Sequence, residues 1–323
     1  MKTNLASIAA QQGGVVMRSQ AIACGYAVDE INRLVRRGEW VSLRRGAYME
    51  RDIHDAMSDV QRHLALIHAA VRSLHRPAVV SHTSAVILHG GLPVWGLDLD
   101  EVHISRSDLH SPRHEAGIHH HAGSLPDEDV EVVNGVRVTT LARTVVDVAR
   151  ITPFEAGVVV ADAALGRDPL VRDVALKRLD TMRDWRGARN AGAVLAFADG
   201  RSESVGESRC RVLFDDVGLP APELQQEFYD EAGRLIGRSD FYFKKHRTIG
   251  EFDGKVKYLR SIDDGADAGE VVWREKKRED RLRSAGYEVV RTVWADLDHP
   301  TRVAARYRAA FARGTRNERR RIT

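Results

Sequence analysis

Acidic residues set inside apolar strands constrain this chain more than any other feature of it. The segment LIGRSDFYF carries Asp240, and the next apolar run, RTIGEFD, carries Glu251 and Asp253. Side chains alternate across a strand, so Glu251 and Asp253 share one face of theirs. A carboxylate in such a position is costly to bury unless a cation pairs with it. Glu207, in the helical run SESVGESRCRVLFDDVG, is a fourth acid close by in the same third of the chain. Carboxylates converging from several elements suit a hard divalent ion such as Mg²⁺, which takes oxygen ligands. Metal-assisted phosphodiester chemistry is the sharpest hypothesis these residues raise. The plainer alternative is that the acids are salt-bridged, with Arg209, Arg238 and Lys255 as cation partners.

At 323 residues the chain has room for two or three domains with ordinary cores. It has no run of 18 apolar residues, and its start, MKTNLASIAAQQGG, lacks the charged flank and apolar block of a secretion signal. Cys24 and Cys210 fit no disulfide framework or zinc spacing, so a cytoplasmic protein without membrane contact is expected. The net charge of +3 hides an uneven distribution. Arginines crowd the first fifty residues, and a second basic cluster runs through REKKREDRLR to the RGTRNERRRIT end. Basic terminal parts suit a nucleic-acid partner.

Periodicity and turn signals divide the chain into residues 1–52, 58–195, 200–313 and a basic tail, 314–323. The first part reads as three helices, with Ser19 capping the second and Gly25 ending it, followed by two short strands around a turn at Arg44, Arg45 and Gly46. In the third helix Ile31, Leu34 and Val35 face inward, and Asn32, Arg33, Arg36 and Arg37 outward. That order is winged helix-turn-helix organisation, with the outward residues and Arg44 and Arg45 available to double-stranded DNA. The middle part mixes helices and strands, including VEVVNGVRVTT across an Asn-Gly turn. It is rich in histidine: His119 and His121 would share a strand face, half of a metal site, but no HExxH or cysteine pair accompanies them, so ordinary histidines are expected. The last part runs helix, three strands, helix, strand, helix, with a polar loop at SIDDGADAG. The fold class is α+β and α/β multidomain.

Two stretches carry family resemblances. Glu207, Asp240 with Phe241, the string GEFDGKVKY, REKKRED and the strand ending at Trp294 resemble the very-short-patch-repair-like endonuclease domains of the PD-(D/E)XK superfamily. The resemblance implies an αβββαβ restriction-endonuclease-like fold over residues 200–298. It also implies Mg²⁺ on Asp240 and Glu251, with Glu207 assisting. The lysine normally two residues after the glutamate is replaced by Asp253, an alternative further ligand, with Lys255 or Lys277 as candidates to reach in instead. Glu203, one helical turn before Glu207, is a rival for its role, whereas Asp215 and Asp216 belong in solvent. QGGVVMRSQAIACGY, INRLVRRGEW and LRRGAY, with SHTSAVILHG and VTTLARTVVDVAR further on, resemble AbiEi-type antitoxins, which act as transcriptional regulators. That resemblance implies DNA binding and a cognate toxin. The leading expectation is a DNA-binding regulator with a nuclease-fold C-terminal part. An active Mg²⁺-dependent endonuclease and a non-catalytic protein-docking module are the alternatives. No Walker loop, GxSxG elbow or dinucleotide fingerprint is present.

Overall fold

The computed structural model describes residues 1–74, 78–254 and 268–322. Lys255, His75 and most of the loop expected at 261–269 lie outside the described residues. The chain folds as two compact units, Met1–Ala198 and Asp199–Thr323. Helices and sheets are mixed in both, as the α+β reading requires. No described helix is long and apolar enough to cross a membrane.

The first unit opens with α1 (Thr3–Gln11), β1 (Val16–Met17), α2 (Arg18–Ala23), α3 (Val28–Arg36), β2 (Trp40–Arg44), β3 (Ala47–Glu50) and α4 (Arg51–Asp55). Val16 and Met17 form a strand that the sequence reading did not anticipate; β1 pairs with β3 to make a three-stranded sheet in the order β1-β3-β2. Ser19 does not cap α2. The cap is Met17, whose backbone N–H is accepted by the Gln20 side chain at 2.9 Å, while Gly25 ends the turn at φ +84°. Leu5, Ile31, Trp40 and Tyr48 form the small core beneath these helices. A second cluster joins Val15, Ala47 and Met49 to Ala65 and Ala69 of α5 (Asp59–Ser73). This apolar seam explains why residues 1–52 and 58–195, expected as separate domains, fall in one unit. Ser58 and Gln61 start α5 with a reciprocal cap, at 3.3 and 2.8 Å.

Beyond it come β4 (Val79–Val80), α6 (His82–His89), β5 (Val102–Arg106), β6 (Arg113–Glu115), β7 (Ile118–Ala122), β8 (Val130–Val133) and β9 (Val136–Thr139). They form one sheet in the order β6-β7-β5-β4-β9-β8, over a core that includes Ile67, Ala85, Ile104, Ile118 and Val138. The β8–β9 turn is the expected Asn-Gly pair, with Asn134 and Gly135 both at positive φ, as a two-residue hairpin twisted with its strands requires. Helices α7 (Leu141–Ile151), α8 (Phe154–Arg167), α9 (Val171–Thr181) and α10 (Ala188–Phe197) pack on one another to complete the unit.

The second unit consists of α11 (Val205–Asp216), β10 (Glu223–Tyr229), β11 (Leu235–Phe243), β12 (Thr248–Asp253), α12 (Ala268–Ser284), β13 (Glu288–Val293) and α13 (Pro300–Ile322). Its sheet runs β10-β11-β12-β13, antiparallel up to the last pair, which is parallel. Phe214 of α11 and Tyr307 of α13 pack with Phe241, Phe243 and Phe252 on one side of the sheet; Leu282 of α12 packs with Phe228, Ile236 and Ile249 on the other. Residues 314–322, expected as a tail, continue α13 as helix.

Candidate functional site

Two groups of residues were expected to carry function, the carboxylates of the second unit and the basic face of α3. Glu207 is buried at the start of α11, where its carboxylate closes the helix cap. It accepts from the backbone N–H of Glu203 at 2.9 Å, the Ser204 hydroxyl at 2.8 Å and the Gln225 amide at 2.9 Å. Asp240 lies where β11 and β12 stop pairing, and its Oδ2 accepts the backbone N–H of Phe252 at 2.8 Å. Glu251 meets the guanidinium of Arg278 at 2.5 Å and lies 3.8 Å from that of Arg291. Burial pushes the Glu251 carboxyl up while the two arginines pull it down. Glu275 bridges the same arginines, at 2.6 Å to each, and its hydrogen bond to Arg278 holds it below the usual range. Asp253 is half-buried at the end of β12.

Among the described residues, the cation partners of Glu251 are not those the sequence suggested. Arg238 pairs with Glu203 at 2.7 Å, and Arg209 lies over the Trp294 ring, whereas Glu251 takes Arg278 and Arg291. Lys277, considered as a replacement for the missing lysine, stands over the Trp273 ring at 3.4 Å. Asp215 and Asp216 are exposed, as expected. Among the described residues, Glu207, Asp240, Glu251 and Asp253 supply no three carboxylates with oxygens within 4.8 Å of one another. Glu207 is engaged in a helix cap, Asp240 at a strand end, and Glu251 with two half-buried arginines.

On α3, Ile31 is fully buried while Asn32, Arg33, Arg36 and Arg37 are exposed, so the helix presents one basic polar face. Arg45 is exposed at the β2–β3 turn. Arg44 is not available in the way expected: it is partly buried, and its Nε and Nη1 are enclosed without a hydrogen-bond partner. Arg18, overlooked in the sequence, belongs to this face. Its guanidinium donates to the Tyr48 hydroxyl at 2.7 Å and reaches the Asn32 side chain at 3.5 Å. Its position at the start of a short helix carried no periodic signal.

The structure also assembles histidines that the sequence reading left as ordinary ones. His82, His103 and His121 bring ring nitrogens within 4.8 Å of one another, and Glu101, His114 and His119 form a second such group.

Residues 5–51 match the family model described as a transcriptional regulator, AbiEi antitoxin, and residues 68–196 match that of the AbiEi antitoxin C-terminal domain. The chain is 34% identical over 175 residues to uncharacterized proteins of two Mycobacterium tuberculosis strains, CDC 1551 / Oshkosh and ATCC 25618 / H37Rv. The alignment covers 54% of this chain and 61% of each relative, so the chain spans less than two thirds of the length of the curated relatives it matches. The two matched stretches, one at the N-terminal part and one in the middle, support the AbiEi antitoxin family for this chain.

Proposed function

We propose that the protein is a DNA-binding antitoxin-type transcriptional regulator acting in the cytoplasm, with residues 1–52 serving as a winged helix-turn-helix. The observation that carries this is the face of α3, where four exposed polar or basic side chains stand opposite a fully buried Ile31, with Arg18 alongside. An amphipathic helix of this kind enters a major groove with arginines positioned for phosphates and base edges. The β2–β3 turn serves as the wing, and Arg45 rather than Arg44 touches the DNA backbone. The two family matches support the regulator role and a cognate toxin as second partner.

A mobility-shift titration of the full chain on DNA from its own promoter tests this. Binding weakens steeply with salt, because each neutralised phosphate releases counterions. Arg36→Ala and Arg45→Ala each weaken binding roughly tenfold, and each flattens the salt slope by about one unit. Arg44→Ala has the smaller effect. Binding indifferent to both Arg36→Ala and Arg45→Ala would sink the assigned DNA face.

In the same reading the second unit is a restriction-endonuclease-like fold that grips DNA without cutting it. The Arg278–Glu251 pair supports this, since a half-buried guanidinium already neutralises the carboxylate that Mg²⁺ would bind. Plasmid DNA incubated with the protein in Mg²⁺ or Mn²⁺ is expected to stay intact. Metal-dependent cleavage that disappears in Asp240→Ala and Glu251→Ala would reverse this reading in favour of an active endonuclease.

A further inference from the structure

The histidines of the first unit form a site that neither the DNA face nor the carboxylates use. His103 stands on β5 and His121 on β7, adjacent parallel strands, and His82 opens α6. His103 Nδ1 and His121 Nε2 face each other at 2.9 Å. The His82 and His121 rings stack with centroids 3.6 Å apart, and His119 stacks on the other side of His121 at 3.9 Å. Packing imidazoles this closely is compatible only with neutral rings. Burial pushes His103 down to about 4 and His121 to about 2, and disfavours the charged form of His82 as well.

Three further details give the cluster the character of a built site. His82 holds φ at +51°, a left-handed conformation unfavourable for a non-glycine residue, and the fold retains it with the residue 2% exposed. Its Nδ1 lies 2.9 Å from the Ser81 hydroxyl, a contact that fixes the ring and leaves Nε2 to ligate. His82 and His121 also line a pocket of about 440 Å³, whose other walls include Arg143, Arg150 and Trp185.

We propose that His82, His103 and His121 hold a divalent transition-metal ion of the zinc class, with its fourth position open to this pocket. The ligand nitrogens lie within 4.8 Å of one another, and a tetrahedral zinc site needs about 3.3 Å between them, so ion binding requires the stacked His82 and His121 rings to turn out of their near-parallel planes. Three imidazoles with no thiolate and no carboxylate favour Zn²⁺, Ni²⁺ or Cu²⁺ over Mg²⁺ or Ca²⁺. Three protein ligands leave one position for water or a small oxyanion, as in zinc sites that bind a substrate.

The test uses untagged full-length protein, stripped with a chelator and titrated with Zn²⁺ in competition with a chromophoric chelator. One equivalent binds, and Co²⁺ in its place gives the intense visible bands of a four-coordinate nitrogen site. His103→Ala and His121→Ala each lower Zn²⁺ affinity by about 100-fold or more. His110→Ala, at an exposed histidine outside the cluster, leaves it unchanged. Thermal melts of the chelated proteins check that the variants fold, and His121→Gln replaces any that do not. The proposal is overturned if no stoichiometric ion is taken up. It is equally overturned if uptake survives both substitutions, or if uptake depends on His114 and not on His103 and His121, which would place the ion in the neighbouring Glu101, His114 and His119 group.

Discussion

Asp147→Asn is expected to destabilise the first unit by about 3–5 kcal/mol, the cost of removing one partner from a buried ion-pair network. Asp147 is fully buried in α7 and accepts from Arg143 at 2.9 Å and Arg150 at 3.3 Å. Arg143 is itself 2% exposed and also binds Asp129, at 2.7 Å. Removing the carboxylate leaves Arg143 with one anion instead of two and Arg150 with none of its paired charge. Both guanidiniums lie over the Trp185 ring, so they cannot escape to water without opening that contact. Glu128→Gln, at an exposed partner of Arg178, removes a charge pair screened by solvent and is expected to leave stability nearly unchanged. Amide hydrogen exchange, read separately for peptides of α7 and α8, isolates the first unit from the second, since two units need not unfold as one. A loss below about 1 kcal/mol for Asp147→Asn would show that the network contributes little.

The same contrast between local and distant partners decides what could be read from the sequence. The strands of the second unit were legible because apolar runs broken by turn residues specify them locally. The exposed face of α3 was legible because helical periodicity separates Ile31 from Arg33 and Arg36. Arg278, the partner of Glu251, is 27 residues away on a helix whose charges all look alike in sequence. Only the packing of α12 on the sheet selects it. Arg44 reads as the tip of a turn, yet the fold encloses part of its guanidinium. The histidine site was scarcely visible: alternation puts His119 and His121 on one face, but only His121 joins it, and His119 belongs with Glu101 and His114. Its other members sit on a different strand and at a positive-φ helix start, and no local pattern announces either.

Gly206→Ala is expected to destabilise the second unit by about 1–3 kcal/mol, the usual cost of overpacking a core. Alanine in place of glycine inside a helix ordinarily stabilises by up to about 1 kcal/mol, so the predicted sign is reversed. The reason is contact with β12: a Cβ at Gly206 would overlap the ring of Phe252. That ring is held by the Trp294 indole edge-on at 4.9 Å and is 4% exposed, so it has little room to turn away. The close approach also places Glu207 at the sheet, which makes the glycine a determinant of the carboxylate's position as well as of packing. Phe252→Leu removes the two nearest colliding ring atoms, Cε1 and Cζ, and costs a cavity of its own. Combined with Gly206→Ala, it should cost less than the two single changes added, with a coupling of about 0.5–3 kcal/mol. Urea unfolding of the four proteins, followed by hydrogen exchange in α11 and β12, measures that coupling. Strict additivity would mean that the helix accommodates the methyl group by shifting as a body rather than by pressing on Phe252.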